Sequence, residues 1–109
     1  MLNYNPETQM IKMIAKDTGD FVITLDNYLL ADGDLVYFTV NKELEKENPL
    51  IEKVVSAFNN HNAIIRLTSK DTDLPIGTYL YDVQVNTADG RIDTILGPAK
   101  FKIVGGVKF

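Results

Sequence analysis

The run Asp71-Thr72-Asp73-Leu74-Pro75-Ile76-Gly77-Thr78-Tyr79-Leu80-Tyr81-Asp82-Val83 constrains this chain more than any other stretch. Pro75 fixes its own φ, and Gly77 opens conformations closed to other residues. From Thr78 onward apolar and polar residues alternate as a half-buried strand requires. The pattern predicts a tight corner that delivers Tyr79 into the start of a long core strand. A tyrosine so placed can return its hydroxyl to the backbone a few residues upstream and close the end of a two-layered β fold. Leu74, Gly77 and Tyr79 are therefore the expected structural corner, with Tyr79 holding the fold rather than touching a ligand.

Similar alternation recurs along the chain. Residues 10–15 are an expected first strand. A turn at 16–20 leads to its hairpin partner, with Phe21, Ile23 and Leu25 on one face and Thr24 and Asp26 on the other. After the Asp32-Gly33-Asp34 turn, residues 35–40 place Val36, Phe38 and Val40 together. Residues 41–48, crowded with Lys42, Glu43, Glu45, Lys46 and Glu47, read as a solvated connector. Residues 49–58 fit two readings. Asn48 and Pro49 are competent to open a short helix that buries Leu50, Val54 and Phe58, whereas the β-branched Val54-Val55 pair between flanking strands favours a strand.

A turn cluster at 59–62 precedes a strand in which Ala63, Ile65 and Leu67 alternate with polar residues, Ile64 being the exception. In the long strand, Tyr79, Tyr81, Val83 and Val85 line the core side. Asp89-Gly90 predicts a two-residue hairpin turn. Residues 91–96 return antiparallel, Gly97-Pro98 is expected to break that strand, and residues 100–104 form the last one with Phe101 and Ile103 inward.

Short strands at regular spacing, with polar turns and no sustained helical period, predict an all-β fold: an antiparallel β-sandwich of about 7–8 strands, with a small barrel as the alternative. A chain of 109 residues is one domain, with residues 1–9 expected as an N-terminal arm and residues 105–109 as a tail freed by Gly105-Gly106.

Composition narrows the function classes. A net charge of −4 and only two arginines, Arg66 and Arg91, argue against nucleic acid, whose phosphates need clustered cations. No apolar run reaches the ~18 residues of a membrane span, and the first residues show neither the basic nor the apolar segment of a secretory signal. With no cysteine there is no thiolate metal site and no inter-sheet disulfide. His61 lies in an expected turn, and neither Ser56 nor Ser69 sits on a nucleophile elbow, so catalytic residues are expected to be none. Asp71 and Asp73 resemble half of a calcium loop, and Asp17, Asp20, Asp32, Asp34, Asp89 and Asp93 occupy other turns. Aspartate is also the commonest polar turn former, so no metal and no cofactor are expected. Tyr4, Tyr28, Tyr37, Leu80 and Phe109 are candidates for exposed contact surface.

From Asp34 onward the order of blocks resembles the immunoglobulin-like N-terminal domain of baseplate upper proteins from tailed phages and prophages of Gram-positive bacteria. The residues carrying the resemblance are Asp34-Leu35-Val36-Tyr37-Phe38-Thr39-Val40, Ile51-Glu52-Lys53-Val54, Ile64-Ile65-Arg66-Leu67 with Asp71-Thr72, and Leu74 through Val83. The Asp89-Gly90 turn, Thr94-Ile95-Leu96-Gly97 and Lys100-Phe101-Lys102-Ile103 complete it. The resemblance covers the C-terminal three quarters of the chain and rests on spacing and residue type. It implies an immunoglobulin-like sandwich and a non-enzymatic structural or adaptor module of a phage tail or baseplate. It further implies other tail proteins as partners, with a homo-oligomer left open, and a place in the virion or in the cytoplasm of the bacterial host. The chain departs from the pattern by ending at Phe109, where such proteins continue into a linker and an oligomerising region. A carbohydrate- or cell-surface-binding sandwich is the alternative, and an immunoglobulin-like piece of a cell-surface protein is a third reading.

Overall fold

A computed structural model describes residues 2–25, 33–43, 48–56 and 61–106. Among the described residues eight strands follow one another: β1 (Leu2–Tyr4), β2 (Ile11–Ile14), β3 (Gly19–Thr24), β4 (Leu35–Asn41), β5 (Ile51–Val55), β6 (Asn62–Leu67), β7 (Gly77–Asn86) and β8 (Ile92–Val104). The fold is all-β, with no helix among the described residues and hence none long and apolar enough to cross a membrane. Six strands form one sheet in the order β1-β2-β8-β7-β4-β5, and β3 pairs with β6 in a second sheet.

Period-two spacing decides which side chains are buried, because successive residues of a strand point to opposite faces. Val36, Phe38 and Val40 of β4, Tyr79, Tyr81, Val83 and Val85 of β7, and Phe101 and Ile103 of β8 all turn inward and are buried. Phe21 and Ile23 of β3, with Ala63, Ile65 and Leu67 of β6, supply the opposite wall. Rings join the layers. Phe21 meets Phe38 and Tyr81 edge-on at centroid distances of 6.2 and 6.4 Å, and Phe101 packs edge-on against Phe38 at 6.2 Å. Burying each such ring contributes roughly 1.5–3 kcal/mol, with a further increment from the edge-to-face geometry.

The strand reading of residues 49–58 holds over Ile51–Val55, with 57 and 58 outside the described residues: β5 pairs antiparallel with β4 from Val36↔Val55 to Val40↔Ile51. Four expectations are corrected. First, β3 is not the hairpin partner of β2. The flanks of β2 are taken by β1 and, in parallel register from Ile11↔Phe101 to Ile14↔Val104, by β8. The chain instead crosses through Lys16, at φ +68°, and β3 pairs with β6, which brings Phe21 over the rings of the other layer. The sandwich is therefore antiparallel except at β2·β8.

Second, the expected N-terminal arm carries β1, hydrogen-bonded to β2 from Leu2↔Met13 to Tyr4↔Ile11. Third, Gly97-Pro98 does not break the last strand. Gly97 adopts φ +76° and β8 bulges there, so that Tyr81 pairs with Ala99 while Val83 pairs with Leu96. Fourth, the β7–β8 connection spans residues 87–91 rather than two residues. Gly90 N–H bonds to Thr87 O at 3.0 Å and Thr87 N–H to Arg91 O at 2.8 Å, a turn followed by a left-handed Gly90 at φ +97°.

Candidate functional site

The corner expected around Leu74, Gly77 and Tyr79 has definite geometry. Tyr79 is buried at the start of β7, and its hydroxyl donates to the Pro75 carbonyl oxygen at 2.6 Å. Leu74 packs against the core, and Gly77 opens β7 opposite Ile103. Neighbouring ties complete this end of the sandwich. Thr72, fully buried, donates its hydroxyl to Asp17 O at 2.7 Å and accepts Lys16 N–H at its carbonyl, joining the β6–β7 loop to the β2–β3 turn.

The Asp71 carboxylate accepts bonds from the Thr68 N–H and hydroxyl at 2.7 and 3.0 Å and pairs with Lys53 Nζ at 2.8 Å. Burial pushes the Asp71 carboxyl up, but the Lys53 bond, both Thr68 bonds and the Lys53 charge outweigh it and hold the group below its ordinary value. Other acids are likewise spent on turns: buried Asp34 accepts Ala88 N–H at 3.0 Å, Asp89 accepts the Thr87 hydroxyl, and Asp93 pairs with Arg91 at 3.1 Å. Among the described residues no three His, Cys, Asp or Glu side chains converge as metal ligands.

The sequence candidates for chemistry are dispersed. His61 stands just before β6, where its carbonyl accepts Leu25 N–H at 2.9 Å, and Ser69 follows the far end of the same strand, whose six residues span about 20 Å by strand rise. Tyr4 packs on Phe21 with centroids 5.2 Å apart. Tyr37 lies on the outer face of the large sheet between Val54 and Gln84, and Leu80 sits opposite Asn41, two cross-strand rows further on. Tyr28, Phe58, Phe109, Asp26 and Asp32 lie outside the described residues.

What the fold does assemble is an apolar groove beside an open strand edge. β8 is 13 residues long, whereas β2 covers only residues 101–104 of it. Among the described residues, the stretch 92–98 has β7 on one side and no strand on the other. Facing that stretch are the last residues of β3, which among the described residues also has a strand on one side only. Between them lies a groove of about 250 Å³ lined by Tyr4, residues 21–24 of β3, Leu25, Ile95 and Leu96.

β2 begins only at Ile11, opposite Phe101, and the bulge at Gly97 interrupts β8 just before the stretch that β2 pairs. Gln9, at φ +61°, ties down this bulge. Its side-chain oxygen accepts Gly97 N–H at 3.0 Å, and its carbonyl accepts the Tyr81 hydroxyl. Burial, with Tyr4 nearby, drives the Tyr81 phenol far above its ordinary value, so it remains a donor at any working pH. An open strand edge offers alternating N–H and C=O groups to an extended segment, and an apolar floor can take that segment's side chains.

Sequence reasoning missed this place. Its only trace is the adjacent apolar pair Ile95-Leu96 in a stretch that should alternate, and both residues are half-buried. Comparison of the chain with models of protein families, with curated proteins and with solved structures finds no match.

Proposed function

We propose that this chain is a non-enzymatic structural or adaptor module that works through protein–protein contact, and that it serves in the tail or baseplate of a phage or prophage. The observation that carries the contact reading is the edge of β8, which no described strand covers, over the apolar groove between Tyr4, Phe21 and Ile95. Strand addition there requires no reacting group, only backbone pairing and apolar seating. The tail assignment rests on the ordered blocks from Asp34 to Ile103. An immunoglobulin-like strand plan agrees with it: β3·β6 against β4·β7·β8, with a tyrosine corner opening the penultimate strand. Partners are then other tail proteins, and the chain resides in the virion or, before assembly, in the host cytoplasm.

Two measurements test the two halves. Immunogold electron microscopy of particles induced from the source strain should label the tail or its tip, and purified particles without the chain would overturn the tail assignment. Thr94→Pro places a ring on the open edge of β8, and Ile95→Lys places a charge in the groove. Both should abolish incorporation into particles while leaving the fold intact by circular dichroism. Unchanged incorporation of both variants would remove the groove as the contact surface.

A further inference from the structure

The outer face of the two-stranded sheet carries a pattern of its own. Cross-strand pairs in the β3·β6 register that point away from the core are Asp20↔Arg66, Val22↔Ile64 and Thr24↔Asn62. The centre is apolar and wet, with Val22 52% and Ile64 40% exposed. At one end Thr24 donates its hydroxyl to Asn62 Oδ1 at 2.9 Å. At the other end stand opposite charges, both exposed, and no ion pair joins Asp20 to Arg66 within the chain.

We propose that this face binds a second copy of the same chain about a two-fold axis parallel to the strands. Rotation about such an axis lays β3 of one copy over β6 of the other while preserving position along the strands. Asp20 then meets Arg66 of the second copy, Arg66 meets Asp20, and Val22 and Ile64 close on Ile64 and Val22 between them. The face is self-complementary in charge and in apolarity, which is what an isologous interface requires. Two aligned sheets pack about 10 Å apart, a distance that these side chains span.

Six side chains fall well short of the 20–30 residues per side of a standard interface, so the dimer is weak, with a dissociation constant on the order of 0.1–1 mM. A contact of that strength suits a module held at high local concentration in an assembly, where many weak copies add. Val22 and Thr24 of this face also line the groove beside β8, whereas Asp20 and Arg66 do not. The charge reversals at Asp20 and Arg66 therefore read self-association apart from incorporation into particles.

The test is sedimentation equilibrium of the full chain from about 0.05 to 1 mM, with thermal melts of each variant confirming the fold. The wild type should show mass rising with concentration toward twice 12.2 kDa. Asp20→Arg and Arg66→Asp, each of which sets like charges against each other across the interface, should each weaken association at least tenfold. The double variant carrying both reversals should return to within about threefold of wild type. Val22→Lys should abolish association. A wild type that stays monomeric throughout, an association unaffected by Val22→Lys, or a double reversal as weak as either single one would overturn the proposal.

Discussion

The Tyr79 hydroxyl and the Pro75 carbonyl oxygen stand 2.6 Å apart, four residues along the chain yet on opposite sides of the corner that enters β7. The bond holds the Leu74–Gly77 corner against the start of the strand that pairs with both β4 and β8. Tyr79→Phe keeps the ring and removes the donor, leaving Pro75 O without that partner. Urea unfolding should show a loss of about 1–2 kcal/mol with an unchanged slope. Self-association and particle incorporation should not move.

Gly97 admits no side chain. A Cβ there would stand 2.4 Å from Tyr81 O and 3.1 Å from Asp82 Cα, both backbone atoms, and φ is +76°. Gly97→Ala should cost roughly 3 kcal/mol, because strain and collision act together. At Gly90 a Cβ meets nothing within 4 Å, although φ is +97°. Gly90→Ala should therefore cost only about 1 kcal/mol. Equal losses in urea titrations would refute the account of the bulge.

Asp71 ties β5 to the β6–β7 loop through Lys53. Its carboxyl is held below the unfolded value near 3.8, so the stabilisation is present above that value and is lost as pH falls through the folded one. Asp71→Asn should lower stability by about 1 kcal/mol at neutral pH. The gap between variant and wild type should close as pH falls below 3.8 through the lowered folded value. A gap constant with pH would sever the link to ionisation.

Asp82 behaves oppositely. Half-buried on the outer face of β7, between Thr39, Leu80 and Pro98, it has its carboxyl pushed up by burial. The folded chain then keeps its proton to higher pH than the unfolded one. Its contribution is full below about 3.8 and fades as pH rises through the raised folded value. Asp82→Asn should raise the melting temperature by roughly 2–4 °C at pH 7 and by nothing near pH 3. A variant that melts lower at pH 7 would show that the ionised carboxylate has a partner.

Much of the layering was legible because period-two spacing is a local property. Val36, Phe38 and Val40, and Tyr79 to Val85, declare their buried face by alternation alone, and the corner declares itself by Pro75, Gly77 and Tyr79. The candidate site was not legible. Its walls come from residues as distant as Tyr4 and Leu96, and its shape depends on Gln9 holding Gly97 across 88 positions. Thr72 makes the same point. It reads like Thr68 or Thr78, yet it alone of the three is fully buried, and its bond reaches Asp17, 55 residues away.

Local alternation and turn chemistry were sufficient to settle that this chain makes strands, which face of most of them is apolar, and that a tyrosine corner opens β7. Which strands become neighbours was settled only by the folded core. Nothing in residues 10–25 says that β2 will lie parallel to β8 while β3 crosses to β6, because strand pairing is chosen by how Phe21, Phe38, Tyr81 and Phe101 pack together. Among the described residues the same packing leaves the first half of β8 open on one side, and it turns Val22 and Ile64 outward as neighbours. Surfaces for partners thus follow from long-range pairing, which no run of adjacent residues encodes.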